Sequence, residues 1–429
     1  MKIRLYLKAK SILKNIIPKN IWLNLRTLFP SEKVNQKIRR QAAFEWKKEK
    51  ERISSTIEKN IPFGVNLIGY FRAANGLGEA ARSNLKLIQL TNIPFSVHDF
   101  EEDVPDHQQF DFPINSYCNE FKYNINLIHI NPMQFPYLWN HFSHKDLTDR
   151  YNIGVWYWEL PEFPDDWCDT FSLVDEVWVA SEFVKESISK KTSKPVFIIP
   201  PSIEVNYDES LKRDYFGLPK DAFLFLVAYD VLSVQKRKNP EGAIKAFKSA
   251  FSPNDSSVGL VIKINNASEN NSHLYRLKKE LDRWNNVYFI DEIFPKEIFN
   301  ALLSNINVYV SLHRSEGFGL IPAEAMYLGK AVVMTNWSGN IDFVELDNCC
   351  PVNYKIIPVG KNAGIYNQNC YWAEPDYSHA AQLLTTLYAD HKYFTKIGKN
   401  AQKTIKRKYS PQRIKEIIQV RLKKLKNNL

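Results

Sequence analysis

The stretch from Asn307 to Thr335 constrains the fold of this chain more than any other. An apolar run, Asn307 to Leu312, leads into the tight loop Glu316-Gly317-Phe318-Gly319, then into a helical stretch and a second apolar run, Ala331 to Thr335. Two buried strands joined through a helix are typical of a parallel βαβ unit. The segment therefore predicts a parallel sheet covered by helices.

The same alternation of strands and helical stretches runs from about residue 61 to the end of the chain. Pro200-Pro201 and the polar stretch up to Lys220 interrupt it, as is typical of a domain boundary. We therefore expect an α/β protein with two doubly wound domains. The expected division is a basic amphipathic extension (1–60), a first Rossmann-like domain (61–205), a second Rossmann-like domain (206–405) and a basic C-terminal helix (406–429).

The basic residues are concentrated at the two ends of the chain. Residues 1–60 contain 16 Lys/Arg and 5 Asp/Glu, and residues 392–429 contain 13 and 1, whereas residues 61–391 contain 28 and 41. An acidic middle without a nucleic-acid-binding motif argues against a nucleic-acid partner. The five cysteines show no zinc spacing, and no secretory signal is evident, so a cytoplasmic protein is expected.

Residues 1–30 contain seven Lys/Arg and no acidic residue, interleaved with apolar side chains. Such segments can lie on a membrane, with cations facing anionic lipid headgroups. The alternatives are that the apolar face docks on the protein itself or that the arm binds nucleic acid. The membrane reading places the protein peripherally on the inner face of the cell membrane.

The loop at Glu316 has the features of an anion site. Its glycines allow the backbone to approach a ligand closely, and a helix start offers free N–H groups, a combination that most often holds phosphate. Glu324, expected in the first turn of the helix, could accept hydrogen bonds from a ribose diol. The alternative is that Glu316 and Glu324 are ordinary solvated carboxylates beside a turn.

The residues Glu316-Gly-Phe-Gly-Leu320, Glu324-Ala-Met326 and Gly329 to Thr335 resemble the EGFGL…EAM…G-x-x-VV-x-T segment of retaining, nucleotide-sugar-dependent glycosyltransferases of family 4, over about 25 contiguous positions. This resemblance implies the GT-B fold, in which two Rossmann-like domains face a cleft and the final helix commonly crosses back to the first domain. It implies that residues 61–205 form the acceptor side of the cleft and that residues 206–405 bind the nucleotide sugar. It also implies chemistry without a metal or other cofactor. By the same resemblance, Glu324 contacts the ribose, the backbone of Gly317, Phe318, Gly319 and Leu320 lies near the phosphates, and Glu316 lies near the sugar.

A basic turn, Lys236-Arg237-Lys238, follows the predicted strand Phe223–Tyr229. Members of the family usually place an arginine and, five residues later, a lysine on the donor diphosphate. Lys238 fits the lysine, but Ser233 stands at the arginine position, so Arg237 is the candidate to replace the missing charge. Fixed cations suit a nucleoside diphosphate leaving group, although a solvated basic turn is the plainer alternative.

Gly76 and Gly78 follow the first predicted strand. With Ala81 and with Asp99 about twenty residues on, they satisfy a dinucleotide fingerprint, which is the best argument for the alternative of an NAD-dependent Rossmann oxidoreductase. Five residues intervene between the strand and the first glycine, which weakens that argument. In the resembling glycosyltransferases this glycine loop faces the donor phosphate and the acceptor. A plain left-handed turn is the third interpretation.

Glu159 follows the predicted strand Asn152–Trp158, where many relatives have a histidine beside the transferred sugar. Trp156 and Trp158 suit either a sugar-stacking platform or the core. His129, one strand earlier, is expected in the core.

The resemblance, together with these residues, implies a retaining glycosyltransferase that moves a hexosyl unit from a GDP- or UDP-sugar to a hydroxyl of a glycan or lipid-linked acceptor, and we expect it to act in bacterial surface polysaccharide synthesis. Glu316, Glu159 and Lys238 are the candidate catalytic residues. Besides the NAD-dependent enzyme, the other alternative is a catalytically silent subunit that binds a membrane or a partner.

Overall fold

The computed structural model of the chain describes residues 32–53, 61–73, 76–100, 120–231, 233–267 and 272–428. They form two lobes, each built on a six-stranded parallel sheet flanked by helices. This architecture confirms the α/β, doubly wound fold expected from the alternation of strands and helices.

The sheet of the first lobe has the strand order β2-β1-β3-β4-β5-β6, with all neighbours parallel. Its central strands are buried on both faces, which explains their nearly continuous apolar sequences. The strands are β1 Val65–Gly69, β2 Phe95–Asp99, β3 Ile125–His129, β4 Tyr151–Val155, β5 Glu176–Val179 and β6 Val196–Ile198.

The sheet of the second lobe has the order β12-β11-β10-β7-β8-β9 and is also parallel. Its strands are β7 Phe223–Asp230, β8 Val258–Asn265, β9 Val287–Ile290, β10 Val308–Ser311, β11 Ala331–Thr335 and β12 Cys350–Val352. A separate antiparallel hairpin, β13 Tyr354–Pro358 with β14 Tyr371–Pro375, was not predicted from the sequence.

Helices cover both sheets. Those of the first lobe are α1 Glu32–Ile53, α2 Gly76–Gln89, α3 Leu138–His141, α4 His144–Thr148 and α5 Glu182–Ser189. Those of the second lobe are α6 Gln235–Lys238, α7 Pro240–Ala250, α8 Ser272–Glu280, α9 Lys296–Asn305, α10 Leu320–Tyr327, α11 Tyr377–Ala389 and α12 His391–Lys408, and α13 Pro411–Lys426 follows. Short 3₁₀ segments lie at Phe135–Tyr137, Asp165–Leu173, Arg213–Phe216 and Gly339–Phe343.

Helix α1 is packed on the first lobe, although the sequence placed it in a separate extension ending at residue 60. Trp46 is fully buried and stacks between Phe135 and Trp139, with ring centroids 5.6 and 5.7 Å away. Lys50 pairs with Asp175 at 2.7 Å. Residues 1–30, to which we assigned a membrane role, lie outside the described residues.

The last helix, α13, crosses from the second lobe to the first. Arg421 pairs with the buried carboxylate of Glu176 on β5, and its guanidinium lies 3.9 Å from the ring centroid of Phe197. The preceding helix, α12, continues to Lys408. The last helix therefore begins a few residues beyond the boundary that we expected at residue 405. Among the described residues, no helix is long and apolar enough to cross a membrane.

Both strand orders reverse beside the first strand of their lobe. In the second lobe the chain moves from β7 outward to β9 and then returns to the other side of β7 to form β10. Parallel α/β sheets bind ligands in the crevice at the carboxyl ends of the strands where the order reverses. The loops after β7 and β10 are therefore the place to look for a site.

Candidate active site

The loops after β7 and β10 bring one carboxylate and two cations into contact. Lys238 Nζ lies 2.5 Å from Glu316 Oε1, and Arg237 Nη1 lies 3.1 Å from Glu316 Oε2. Glu316 and Arg237 are buried, whereas Lys238 is half-buried. Residues 78 positions apart in the chain meet here because β7 and β10 are neighbours in the sheet. The structure thus brings together three of the residues that the sequence singled out.

The charges in this cluster are strongly coupled. Burial alone would raise the pKa of Glu316, but the positive charges of Lys238 and Arg237 outweigh burial and lower that pKa to about 2. Burial alone would likewise lower the pKa of Arg237, but Glu316 raises it above its ordinary value. Glu316 and Arg237 are therefore both ionised at neutral pH.

The loop that carries Glu316 requires its glycines. Gly319 has a φ of 93°, in the left-handed region, and precedes the first residue of α10. A Cβ atom on Gly317 would lie 2.8 Å from the carbonyl oxygen of Trp158 in the first lobe. A Cβ atom on Gly339 would lie 2.1 Å from the carbonyl oxygen of Gly317. The loop Glu316–Gly319 is therefore closely packed between the first lobe and the turn after β11.

Hydrogen bonds from both sides fix this loop. The N–H of Glu316 donates to Ser338 Oγ at 2.8 Å, and the N–H of Gly339 donates to the carbonyl of Glu316 at 2.9 Å. From the first lobe, Ser181 Oγ donates to the carbonyl of Gly317 at 2.6 Å. The position of Glu316 is thus set by its backbone as well as by its ion pairs.

The side chain of Phe318 belongs to the core. Its ring contacts Phe343 and Tyr409 at centroid distances of 5.3 and 5.4 Å. This packing anchors the start of α10, whose first N–H groups have no partner within the helix. The backbone from Gly317 to Leu320 therefore stands beside the charged cluster, with an apolar anchor behind it.

Glu324 lies in the second turn of α10 and not in the first, because the helix begins at Leu320. Lys296 Nζ, from the start of α9, lies 2.5 Å from Glu324 Oε1. The other carboxylate oxygen, Oε2, is buried and has no hydrogen-bond partner among the described residues. Lys296 thus fixes Glu324 through Oε1, and Oε2 can accept a hydrogen bond from a ligand.

Glu159 reaches the same cluster from the first lobe, a few residues beyond the end of β4. Its Oε1 atom lies 3.8 Å from Arg237 Nη2, and its Oε2 atom accepts a 2.9 Å hydrogen bond from the hydroxyl of Tyr366. Its backbone carbonyl accepts a hydrogen bond from Ser315 Oγ. Two cations and two carboxylates therefore meet where the lobes touch.

Trp156 and Trp158 are core residues, so the sugar-platform interpretation is wrong. Trp156 is 0% and Trp158 2% exposed, since both rings pack among the aromatic side chains of Phe163, Trp167 and their neighbours. His129 is also buried, as expected, and burial lowers its pKa to about 3. None of these three rings offers a face to the cleft.

Gly76 and Gly78 lie in the first turn of α2, so the chain there is helical and does not form the left-handed turn. A Cβ atom on Gly78 would lie 2.2 Å from the carbonyl oxygen of Ala73, which explains the need for glycine there. At Gly76, no atom of the described residues lies within 4 Å of the corresponding position. Asp99, the acidic residue of the dinucleotide fingerprint, accepts the N–H of Phe71 at 2.8 Å and thereby holds the loop after β1.

Ser233 does not contribute charge at the position of the family's arginine. Its hydroxyl donates to the carbonyl of Asp230 at 2.7 Å and closes the turn after β7. Arg237, by contrast, donates to the carbonyl of Ser315 at 2.8 Å and pairs with Glu316. The positive charge beside Glu316 is thus supplied by Arg237 together with Lys238.

The sequence reasoning missed Tyr366, which lies between β13 and β14 and reaches Glu159. The segment is rich in polar residues and glycine and has no periodic pattern, so it reads as a plain loop. The sequence signal that this loop has a defined conformation was the presence of Gly360 and Gly364. In the structure both glycines have a positive φ.

Comparison with protein families matches residues 217–404 to the family described as glycosyl transferases group 1. Among curated proteins, the chain is 26% identical over 227 residues to the alpha-1,3/1,6-mannosyltransferase alg2 of Schizosaccharomyces pombe. This match covers 46% of the present chain and 44% of the relative, so the chain spans less than half of that protein's length.

Solved structures share the two-lobed fold at low sequence identity. A sucrose-phosphate synthase from Thermosynechococcus elongatus has a TM-score of 0.64 at 13% identity, covering 86% of this chain and 100% of that one. Anabaena HepE, solved in complex with UDP and glucose, has a TM-score of 0.57 at 14% identity, covering 84% and 100%. The similarity extends over both lobes and identifies the fold as GT-B. Residues 217–404, in the second lobe, are therefore similar to glycosyl transferases group 1 and lie within a two-lobed GT-B fold.

Proposed function

We propose that this chain is a retaining glycosyltransferase that moves a hexosyl unit from a nucleotide diphosphate sugar to a hydroxyl group of a glycan or lipid-linked acceptor. The setting we propose is the synthesis of a bacterial surface polysaccharide. The observation that carries the proposal is the cluster of Arg237, Lys238 and Glu316 at the reversal of strand order in a group 1 glycosyltransferase domain.

The cations of this cluster suit a departing nucleoside diphosphate. As the glycosidic bond breaks, negative charge builds up on the diphosphate, and positive groups already fixed in place stabilise it without rearrangement. Lys238 is half-buried and can reach a phosphate that enters the cleft. Arg237 lies behind it and is held by Glu316 and by the carbonyl of Ser315. In this arrangement the protein supplies the charge that a divalent metal supplies elsewhere.

The geometry of α10 supports the other donor contacts that we propose. The backbone of Gly317, Phe318, Gly319 and Leu320 offers N–H groups to the phosphates. Within the part of the chain that the structure describes, Glu324 Oε2 has no hydrogen-bond partner, which suits it to accept from a ribose hydroxyl. Glu316 lies beside both the cations and the first lobe, where the transferred sugar would bind. HepE, whose fold this chain shares, was solved with UDP and glucose.

The first lobe would supply Glu159, Gly76 and the acceptor surface, with Gly78 allowing α2 to begin close to the carbonyls of Tyr70 and Ala73. We propose that retention proceeds by attack of the acceptor on the same face as the leaving group, with a phosphate oxygen taking the acceptor's proton. Contact between the lobes at Glu159 would exclude water from the reaction and limit hydrolysis of the donor.

A thermal-unfolding panel tests the donor class. UDP or GDP, and the matching sugar nucleotide, are expected to raise the Tm by a few degrees, since a ligand at 100 times its Kd adds about 2.7 kcal/mol of stability. The panel contains GDP, UDP, GDP-mannose, UDP-glucose, UDP-N-acetylglucosamine and NAD, each with and without EDTA. EDTA should leave the shift unchanged. Stabilisation by NAD alone would instead support an oxidoreductase and contradict the proposal.

We also propose that residues 1–30 bring the enzyme to an anionic membrane surface, where a lipid-linked acceptor would be found. Seven basic and no acidic residues in this segment support the idea. Deleting residues 1–30 is expected to reduce cosedimentation with phosphatidylglycerol vesicles while leaving release of the nucleoside diphosphate from a soluble donor unchanged. Neutral phosphatidylcholine vesicles are the control. Equal cosedimentation of the truncated and full-length chains would rule out this role.

A further inference from the structure

The connection between β13 and β14 leaves the second lobe and packs on the first. Ala363 and Tyr366 of this connection, and Trp372 at the start of β14, are buried in the same apolar cluster as Trp158 and Phe163 of the first lobe. A segment of the nucleotide-side lobe thus forms part of the wall behind Glu159.

Tyr366 is the residue of this segment that reaches the charged cluster. Its hydroxyl donates to Glu159 Oε2 at 2.9 Å, and its ring lies against Trp158 at a centroid distance of 5.5 Å. The guanidinium carbon of Arg237 lies 6.0 Å from the centre of the same ring. Burial raises the pKa of the Tyr366 hydroxyl, so it stays protonated and acts as a donor.

The loop that presents Tyr366 is fixed at several points to the second lobe. The N–H of Val359 donates to the carbonyl of Cys370 at 2.8 Å and closes the loop at its base. Lys236 Nζ donates to the carbonyl of Lys361 at 2.6 Å, which ties the loop to the turn that carries Arg237. The loop and the phosphate-side cations are therefore one connected unit.

We propose, building on the glycosyltransferase function above, that Tyr366 is a positioning residue that orients Glu159 in the site of the transferred sugar. One oxygen of Glu159 takes the tyrosine hydroxyl and the other faces Arg237, which leaves a single orientation for the carboxylate. Its remaining lone pairs can then accept a hydrogen bond from a sugar hydroxyl. Because Tyr366 comes from the second lobe and Glu159 from the first, this orientation is achieved only while the lobes are in contact.

The test is Tyr366→Phe, which removes the hydroxyl and keeps the ring on Trp158. The probe is the nucleotide sugar of the thermal panel that stabilises the wild type, with water as acceptor, and the measurement is release of the nucleoside diphosphate. We expect kcat to fall about tenfold, the size of one hydrogen bond to a charged group. The Kd of the nucleoside diphosphate should change less than about twofold, because no phosphate contact is lost. The control is Tyr371→Phe, an outward-facing tyrosine on β14.

The double variant Tyr366→Phe with Glu159→Gln separates positioning from a purely structural role. If Tyr366 acts through Glu159, the double variant should be no slower than Glu159→Gln alone. Multiplying effects, or an unchanged kcat in Tyr366→Phe with an active wild type, would overturn the positioning role and leave the glycosyltransferase proposal intact. A wild type that binds and turns over none of the sugar nucleotides would overturn both.

Discussion

Replacing Lys238 by alanine is expected to weaken binding of the nucleoside diphosphate by about 10- to 100-fold, the effect of one hydrogen bond between charged groups. The reason is twofold. The variant loses the half-buried ammonium group that faces the cleft, and it leaves Glu316 paired with Arg237 alone. A carboxylate with one partner fewer repels the incoming phosphates. Isothermal titration with UDP or GDP measures the change, and release of the nucleoside diphosphate should fall with it.

Lys236→Ala is the matched control, because Lys236 lies in the same short helix but is exposed, and the carbonyl of Lys361 is the single acceptor of its side chain among the described residues. It should change the Kd by less than about threefold, as expected for an exposed cation. Equal Kd values for Lys238→Ala and the wild type would remove Lys238 from the donor site. They would also leave the cluster as a structural ion-pair network.

The alternation of apolar strands and helices predicted most of the fold because it reflects burial, which is a local property of each segment. The strand Ala331–Thr335 has the predicted bounds. The observed strand Val308–Ser311 is one residue shorter at each end than the predicted run Asn307–Leu312. The hairpin of β13 and β14 escaped prediction because half of its residues face solvent, so its strands have no apolar pattern. Helix α1 was predicted to lie outside the first lobe. Its sequence is rich in charged residues, so the narrow apolar face that contains Trp46 was not recognised.

The candidate site was predicted where the chemistry lies within one short segment. Glu316 and the glycines around it are neighbours in sequence, so their pattern is visible there. Contacts between segments that are distant in the sequence were harder to predict. The sequence suggested a charged role for Arg237 but could not show that Glu316 and Glu159 both face it. Tyr366 is 207 residues from Glu159, and a lone tyrosine in a loop carries no sign of such a partner.

Replacing Glu316 by glutamine is expected to move binding and turnover in opposite directions. In the wild type, the donor phosphates must compete with Glu316 for Lys238 and Arg237. The variant frees both cations, so binding of UDP or GDP should tighten by about tenfold. Turnover should fall by about 100-fold, because the carboxylate beside the transferred sugar is lost. Glu297→Gln, an exposed carboxylate on α9, is the control and should change neither quantity.

The lowered pKa of Glu316 gives this variant a second, independent signature. The ionised carboxylate stabilises the fold fully above its ordinary pKa of 4.5, and that contribution is lost as the pH falls through the folded-state value of about 2. Glu316→Gln lacks the contribution at every pH. The difference in unfolding free energy between wild type and variant, measured by urea denaturation, should therefore be largest near neutral pH and shrink towards pH 2. A difference that is independent of pH would mean that Glu316 is not held as an ion by its two cations. Weaker nucleotide binding in the variant would contradict the proposed competition for Lys238 and Arg237, even if turnover falls.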